Sequence, residues 1–197
     1  MLIGLYFGSF NPIHHGHLII ASHVLNSGEA DEIWFVVSPQ NPFKNSASLL
    51  NQNHRLNLVK ISLEGELNMK ASNIEFKLPK PSYTIATLTY LQERYPKQKF
   101  AIIMGSDGFQ NIHKWKNAAS ILKDYSIIIY KRPGFEIDEK QADKVKVLDA
   151  PLLEISSTHI RKLIRAKKSI RYLVPDQVKK EIEAQNYYAA GLENPTE

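Results

Sequence analysis

Short apolar runs recur along the chain and are separated by segments with helical spacing. The runs are rich in Val, Ile and aromatic residues, and they lie at Leu2 to Phe7, Glu32 to Ser38, Phe100 to Gly105, Tyr125 to Tyr130 and Val145 to Leu148. None of them alternates strictly between apolar and polar positions, which is typical of strands buried on both faces of a sheet. Together they predict a parallel sheet.

The segments between these runs place apolar residues three and four positions apart. The predicted helices cover Leu18 to Leu25, Arg55 to Leu63, Tyr83 to Tyr95, Thr158 to Ala166 and Pro175 to about Gln185. Strands and helices that alternate in this way predict an α/β fold, a Rossmann-like open parallel sheet with helices on both faces. Ligands bind such sheets beyond the carboxyl ends of the strands, so the residues after Gly8, Ser38 and Gly105 are candidate site residues.

The chain is predicted to form a single domain. Its 197 residues suit one domain, and no internal repeat, low-complexity tract or change of composition marks a boundary. We expect residues 1–190 to form this unit, with a helical part at about 156–190 packed on it. Residues 191–197 have the composition of a frayed tail.

Composition excludes several classes of site and partner. The sequence has no cysteine, which excludes disulfides, thiolate zinc sites and cysteine nucleophiles. Lys and Arg number 25 against 20 for Asp and Glu, and the net charge of +5 favours an anionic partner without identifying it. No apolar run approaches the ~20 residues needed to span a bilayer, and the first residues do not read as a signal peptide. We therefore expect a cytoplasmic protein.

The first predicted strand leads into the histidine-rich turn GSFNPIHHGH at residues 8–17. Gly8 would let a phosphate approach the backbone, and the helix that follows offers free N–H groups to an anion. His14 and His17 are three positions apart, so both rings can point to one side and donate to phosphate oxygens. A zinc site is the alternative, although the H-E-x-x-H pattern is absent. Because Walker A and G-x-G-x-x-G patterns are also absent, a nucleotide would have to bind at this turn.

A second possible anion site begins the predicted helix near Thr158. Ser156 or Ser157 is a natural N-cap, and hydroxyls beside free N–H groups form a cradle for an anion. Arg161 and Arg165 are four positions apart and stand on one face of this helix. An ordinary capped surface helix with solvated arginines would explain the same residues, so the motif alone does not decide between the two.

Both motifs resemble signatures of a known superfamily. Residues 8–17 are similar to the nucleotidyltransferase signature G-x-F-x-P-x-H-x-G-H, and SSTHIR at 156–161 is similar to its second signature, S-S-T-x-I-R. Between them, PSYTI at 81–85, MGSD at 104–107 and KWK at 114–116 resemble the bacterial nicotinate-nucleotide adenylyltransferases. The motifs occur in the family's order and span nearly the whole chain.

The resemblance implies that the chain joins nicotinate mononucleotide to the AMP portion of ATP, giving deamido-NAD and pyrophosphate, with Mg²⁺ brought in by the nucleotide. It implies catalytic roles for His14, His17, Lys44 and Arg161. The implied ATP-binding residues are Gly8, Ser9, Phe10, His14, His17, Gly105, Asp107, Ser156, Ser157, Thr158 and Arg161. The implied mononucleotide-binding residues are Asn11, Lys44, Tyr83, Thr84, Trp115 and Lys116, and no residue is assigned as a metal ligand.

A reaction of this kind needs no covalent enzyme intermediate. The 5′-phosphate of the mononucleotide would attack the α-phosphorus of ATP in line, so the protein aligns the reactants and stabilises charge, and no general base is assigned. The pyridine ring would lie on the indole of Trp115, and Thr84 would bond the nicotinate carboxylate. Asn11 and Lys116 depart from the residues common in relatives, and a cation at 116 could favour the acid over the amide nucleotide.

Two other functions share some of these features. A nucleotidyltransferase acting on nicotinamide mononucleotide or phosphopantetheine would carry the same motifs, although Thr84 and Trp115 favour a pyridine ring. A nucleic-acid-binding module is suggested by RKLIRAKKSIR at 161–171, but this run has one apolar face and no interleaved aromatic residues. We therefore expect ATP and nicotinate mononucleotide as partners, neither nucleic acid nor a membrane, with a homo-oligomer left open.

Overall fold

The strands form one parallel sheet in the computed structural model, which describes residues 1–40, 49–132, 134–135, 137, 144–149, 151 and 153–189. Over these ranges there are six strands: β1 (Leu2–Gly8), β2 (Glu32–Val37), β3 (Met69–Ser72), β4 (Lys99–Gly105), β5 (Ser126–Tyr130) and β6 (Val145–Leu148). Their order across the sheet is β3-β2-β1-β4-β5-β6, and every neighbouring pair is parallel. The predicted Rossmann-like α/β fold is confirmed.

Helices lie on both faces of the sheet and connect most of the consecutive strands. They are α1 (His15–Asn26), α2 (Gln52–Ser62), α3 (Thr84–Arg94), α4 (Ser106–Gln110), α5 (Ala118–Asp124), α6 (Ser157–Arg165) and α7 (Asp176–Ala184), with 3₁₀ turns at Ile74–Lys77 and Ile112–Lys114. The five helices predicted from spacing are present, with ends that differ by at most three residues. No helix within the described ranges is long and apolar enough to cross a membrane.

Three short elements were not predicted. The edge strand β3 has four residues, of which only Met69 is buried, so it lacks the apolar run that marks the other strands. Helices α4 and α5 have five and seven residues, which is too short for a helical period to show in the sequence. These three elements therefore have no sequence pattern by which they could be predicted, and they are recognised only in the folded structure.

Apolar side chains form one cluster on each face of the sheet. Successive residues of a strand point to opposite faces, so Tyr6 of β1 belongs to one cluster and its neighbour Leu5 to the other. The cluster around Tyr6 also contains Ile160 of α6 and Val178 of α7. The two C-terminal helices are therefore packed against the sheet, close to the end of β1.

Strand order reverses at β1, which lies between β2 and β4. Helix α1 leaves β1 toward one side of the sheet, while the chain after β4 continues toward β5 on the other. Loops that diverge in this way leave a crevice at the carboxyl ends of the two strands, which is where open α/β sheets bind ligands.

Candidate active site

A cavity of about 980 Å³ opens at the carboxyl ends of β1 and β4. Its volume lies at the upper end of the range for small-molecule sites, roughly 300–1,000 Å³, so it suits a large ligand or two ligands together. The structure brings most of the predicted site residues to its wall: Gly8, Ser9, Phe10, Asn11, His14, His17, Tyr83, Thr84, Gly105, Asp107, Trp115, Lys116, Ser156, Ser157, Thr158 and Arg161. Lys44 lies outside the described residues.

The two histidines of the first motif lie side by side. His14 is the N-cap of α1, and the ring centroids of His14 and His17 are 3.7 Å apart, with their planes inclined by 31°. The backbone N–H of His14 donates to Nδ1 of His17 over 3.3 Å. A ring nitrogen that accepts a hydrogen bond carries no proton, so neutral His17 has its proton on Nε2. This N–H is the donor that His17 can offer to a ligand.

Glycine at position 16 makes room for the ring of His14. A Cβ atom at Gly16 would lie 3.1 Å from two atoms of that ring, closer than an ordinary contact. The ring is almost fully buried, and burial lowers the pKa of His14 to about 4, with a further lowering by the charges of Arg132 and His15. His14 is therefore uncharged at neutral pH.

Phe10 supports the histidine pair from below. Its ring is 2% exposed and packs edge-on against His17, with a centroid distance of 5.1 Å. A Cβ atom at Gly8 would lie 2.8 Å from the Phe10 ring. The absence of a side chain at Gly8 thus accommodates Phe10, a requirement that the sequence analysis did not consider when it assigned the glycine to phosphate approach.

The start of α6 is fastened to the histidine turn. The Ser156 hydroxyl caps α6 by accepting a backbone N–H from its first turn over 3.2 Å. The Ser157 hydroxyl donates to the Pro12 carbonyl over 2.8 Å, and Arg161 donates to the Asn11 carbonyl over 2.7 Å. The bonds of Ser157 and Arg161 join residues 145 and 150 positions apart and place both predicted anion motifs at one cavity.

A further cation of the cavity wall, Arg132, was missed by the sequence analysis. Its Nε atom lies 3.4 Å from Oδ1 of Asp107, and Nη2 donates to the Tyr130 hydroxyl over 3.1 Å. The charge of Arg132 contributes to the lowered pKa of His14. The only signal in the sequence was its position, two residues after a predicted strand.

Arg55 holds three loops together beneath the cavity. Its side chain is fully buried, and it donates to the carbonyls of Leu50 (2.7 Å), Ser9 (2.6 Å), Ser38 (2.9 Å) and Pro39 (3.1 Å). Burial lowers the pKa of Arg55 to about 10, so the guanidinium stays charged at neutral pH. The sequence analysis gave this residue no role beyond the start of a helix.

Another part of the cavity wall combines aromatic rings with a helix N-terminus. Tyr83 is the residue before α3, and Thr84 is the first residue of that helix. The ammonium group of Lys116 lies 4.7 Å from the centre of the Tyr83 ring, a cation–π contact, and Trp115 lines the cavity beside it. A flat ring that carries a negative group would find a stacking surface, a cation and free N–H groups here.

The cavity wall has the chemistry of an anion site. Within the described ranges, no three His, Cys, Asp or Glu side chains are grouped as metal ligands. Three acidic residues of these ranges line the cavity, Glu75, Asp107 and Glu154, and Asp107 is paired with Arg132. The other polar groups described above are imidazoles, hydroxyls, cations and helix N-termini. Such a wall suits a polyanion.

Comparisons with known proteins agree with this chemistry. A family model described as cytidylyltransferase-like matches residues 5–163. A probable nicotinate-nucleotide adenylyltransferase of Cytophaga hutchinsonii is 47% identical over 190 residues, which cover 96% of this chain and 99% of the relative. One of Flavobacterium johnsoniae is 46% identical over 191 residues, 95% and 99% of the two chains. The solved Plasmodium falciparum nicotinic acid mononucleotide adenylyltransferase complexed with NaAD has a TM-score of 0.82 at 25% identity, covering 95% of this chain and 97% of its own.

Proposed function

The chain belongs to the nicotinate-nucleotide adenylyltransferases of the cytidylyltransferase-like family, and we propose that its cavity joins nicotinate mononucleotide to the AMP portion of ATP. The products are deamido-NAD and pyrophosphate. The observation that carries the proposal is that the His14–His17 pair and the start of α6 face one cavity. The solved relative complexed with NaAD, which is the same dinucleotide, supports it.

The triphosphate of ATP is placed between the histidine turn and α6. The N-termini of α1 and α6 point positive dipole ends at this space, although the N–H groups of His15 and His17 already donate to carbonyls. His17 supplies Nε2–H, and Arg161 supplies a cation. Because the Ser157 hydroxyl already donates to Pro12, we assign it a role in holding the two segments together and not a phosphate contact. Lys44, if it faces the triphosphate as the resemblance implies, adds a second cation.

The reaction proceeds by direct displacement at the α-phosphorus. An oxygen of the mononucleotide's 5′-phosphate forms the new P–O bond while the bond to the β-phosphate oxygen breaks, and pyrophosphate leaves with that electron pair. The attacking phosphate is already ionised, so the protein contributes alignment and charge stabilisation. His14, which is neutral in the free protein, acts as a hydrogen-bond donor. Mg²⁺ enters with ATP as part of the substrate and neutralises phosphate charge.

The pyridine end of the mononucleotide is assigned to the wall formed by Tyr83, Thr84, Trp115 and Lys116. The indole supplies a flat surface for the ring, and the start of α3 supplies N–H groups for the nicotinate carboxylate. Lys116 adds a positive charge, which favours the acid over the amide nucleotide. Asn11 remains a proposed contact of the mononucleotide, and Gly105 and Asp107 remain proposed contacts of the adenosine.

A pyrophosphate-release assay tests the proposal. The purified chain is supplied with Mg–ATP and either nicotinate or nicotinamide mononucleotide. We expect release with the acid nucleotide and formation of deamido-NAD in equal amount. Faster release with the amide would support the alternative substrate, and no release with either would contradict the proposed reaction.

The remaining expectations concern the setting of the enzyme. A cytoplasmic location fits a substrate pair of small phosphorylated molecules, and the net charge of +5 then serves these anions. The homo-oligomer stays a prediction that sedimentation of the purified chain tests.

A further inference from the structure

Asn11 lies in the histidine turn, where the residues just before α2 and the start of α6 both reach the cavity wall. Only 6% of it is exposed. Its side-chain oxygen Oδ1 accepts a hydrogen bond from the backbone N–H of Leu50 over 3.2 Å, and this bond is buried. Its main-chain carbonyl accepts from Nη1 of Arg161 over 2.7 Å. Asn11 is therefore bonded to two segments that lie far from it in the chain.

Leu50 is a fixed anchor for this side chain. It is 1% exposed, and its carbonyl accepts a hydrogen bond from Nε of the buried Arg55 over 2.7 Å. Nη1 of the same arginine donates to the carbonyl of Ser9, two residues before Asn11, over 2.6 Å. Two connections thus join the histidine turn to the residues before α2, and of these the bond to Oδ1 depends on the side chain at position 11.

Neutral groups orient the guanidinium of Arg161. Besides its bond to the Asn11 carbonyl, its Nη2 atom donates to the hydroxyl of Thr158 over 3.4 Å, and no carboxylate of the described ranges forms an ion pair with it. Arg132, another arginine of the cavity wall, is instead paired with Asp107. A guanidinium oriented by neutral acceptors keeps its full charge for an anionic ligand. The position of the Asn11 carbonyl therefore determines where this charge lies in the cavity.

We propose that Asn11 is a positioning residue that acts through Arg161. Its side chain, fixed by the N–H of Leu50, holds the turn so that its carbonyl meets the guanidinium, and the guanidinium meets the triphosphate of ATP. The inference rests on the proposed function, which places the triphosphate between the histidine turn and α6. Removal of the side-chain acceptor should therefore weaken the ATP site only while Arg161 is present.

A double-mutant cycle with Arg161 tests this role. Asn11→Leu keeps nearly the same size but removes the acceptor for Leu50, and we expect kcat/KM for ATP to fall on the order of 10-fold. In the Arg161→Met background the same exchange should lower kcat/KM by at most about threefold, because the group through which Asn11 acts is already absent. Arg165, which is exposed and one turn further along α6, is the matched control. In the Arg165→Met background, Asn11→Leu should retain its full effect.

A conservative variant separates the lost acceptor from a general disturbance of the turn. A carboxylate oxygen in Asn11→Asp accepts the N–H of Leu50 as the amide oxygen does, so this variant should recover most of the activity that Asn11→Leu loses. The Tm of each variant is measured alongside. If Asn11→Leu does not fold, Asn11→Ala removes the same acceptor without apolar bulk and replaces it in the cycle. Losses that multiply in the double variant, or no recovery in Asn11→Asp, would overturn the inference.

Calorimetric titration with ATP alone separates this inference from the proposed function. If wild type turns over neither pyridine nucleotide, the proposed function fails, and the Kd for ATP completes the same cycle without turnover. Asn11→Leu should then raise the Kd in wild type on the order of 10-fold and in Arg161→Met by at most about threefold. Equal increases in the two backgrounds would contradict the positioning role, and a wild-type protein that does not bind ATP would contradict both proposals.

Discussion

The geometry of the cavity depends on glycines, which leave space for neighbouring rings, as well as on the side chains that line it. Gly16 leaves space for the ring of His14, and Gly8 leaves space for the ring of Phe10. The histidine pair is then held by packing from two sides and by the bond from the His14 backbone to His17. Because this bond determines the tautomer of neutral His17, its donor is already in place before a ligand arrives.

Replacing His17 by Ala tests whether its Nε2–H group donates to the reacting phosphates. We expect kcat to fall by about 10²–10³, the usual loss when one donor to transition-state charge is removed. Steady-state rates at saturating ATP and mononucleotide measure it, and His23→Ala, at the far end of α1, is the control. Unchanged turnover in His17→Ala would remove this histidine from the chemistry.

Trp115 is proposed to act in binding and not in the chemical step. Replacing it by Ala should chiefly raise the KM for nicotinate mononucleotide, since the stacking surface is lost while the phosphates stay aligned. Titration of each substrate at saturating concentration of the other measures both KM values. An unaltered KM for the mononucleotide would count against the stacking role.

At the scale of elements, the site depends on how loops from different strands are joined. The apolar pattern predicted the ends of five strands to within one residue and those of five helices to within three. Buried positions recur with the period of the strand or helix, so each of these elements is visible in its own stretch of sequence. β3 has no apolar run, and α4 and α5 are too short to show a helical period. The bonds between elements, above all those of Arg55, depend on residues that only the fold brings together.

Replacing Arg55 by Met should loosen the three loops that its side chain joins and lower the stability of the protein. Four carbonyls, three of them on buried residues, would lose their donor. We therefore expect the free energy of unfolding to fall by about 3 kcal/mol, and kcat/KM to fall as the Ser9 turn loosens. Arg55→Lys retains the charge but cannot reach all four carbonyls, and its loss should be intermediate. Urea denaturation measures both, with Arg94→Met, an exposed arginine, as control. Equal stability of Arg55→Met and wild type would show that the four bonds contribute nothing.

Stability of the whole molecule should depend on pH through its buried titratable groups. The pKa of His14 is lowered from its ordinary value near 6.5 to about 4, so the unfolded chain binds a proton more readily between these values. The resulting stabilisation is complete above about pH 6.5 and is lost as the pH falls toward 4, by at most on the order of 3 kcal/mol. Glu75 has the opposite sign, since its pKa is raised.

Comparing His14→Gln with wild type isolates the histidine. The free energy of unfolding of His14→Gln should not show the decrease that His14 causes between about pH 6.5 and pH 4. The control His23→Gln should show the same decrease as wild type. Urea denaturation at several pH values measures the difference. Curves for wild type and His14→Gln that run parallel over this range would show that His14 keeps an ordinary pKa.

The sequence by itself determined the α/β fold, the two anion motifs and the family they resemble. These follow from local features: the spacing of apolar residues, the residues that begin a helix, and the order of residues in short motifs. The space that Gly8 and Gly16 leave for the rings of Phe10 and His14 was visible only in the structure. Only the tertiary structure placed Ser157 and Arg161 against the histidine turn, Arg132 against Asp107, Arg55 beneath three loops and Glu75 against Thr87 of α3. Each of these contacts joins segments far apart in the chain, and burial then changes the pKa of His14, Arg55 and Glu75. The periodicity of a sequence predicts that a residue is buried, but it does not predict which side chains or carbonyl groups that residue contacts in the folded protein.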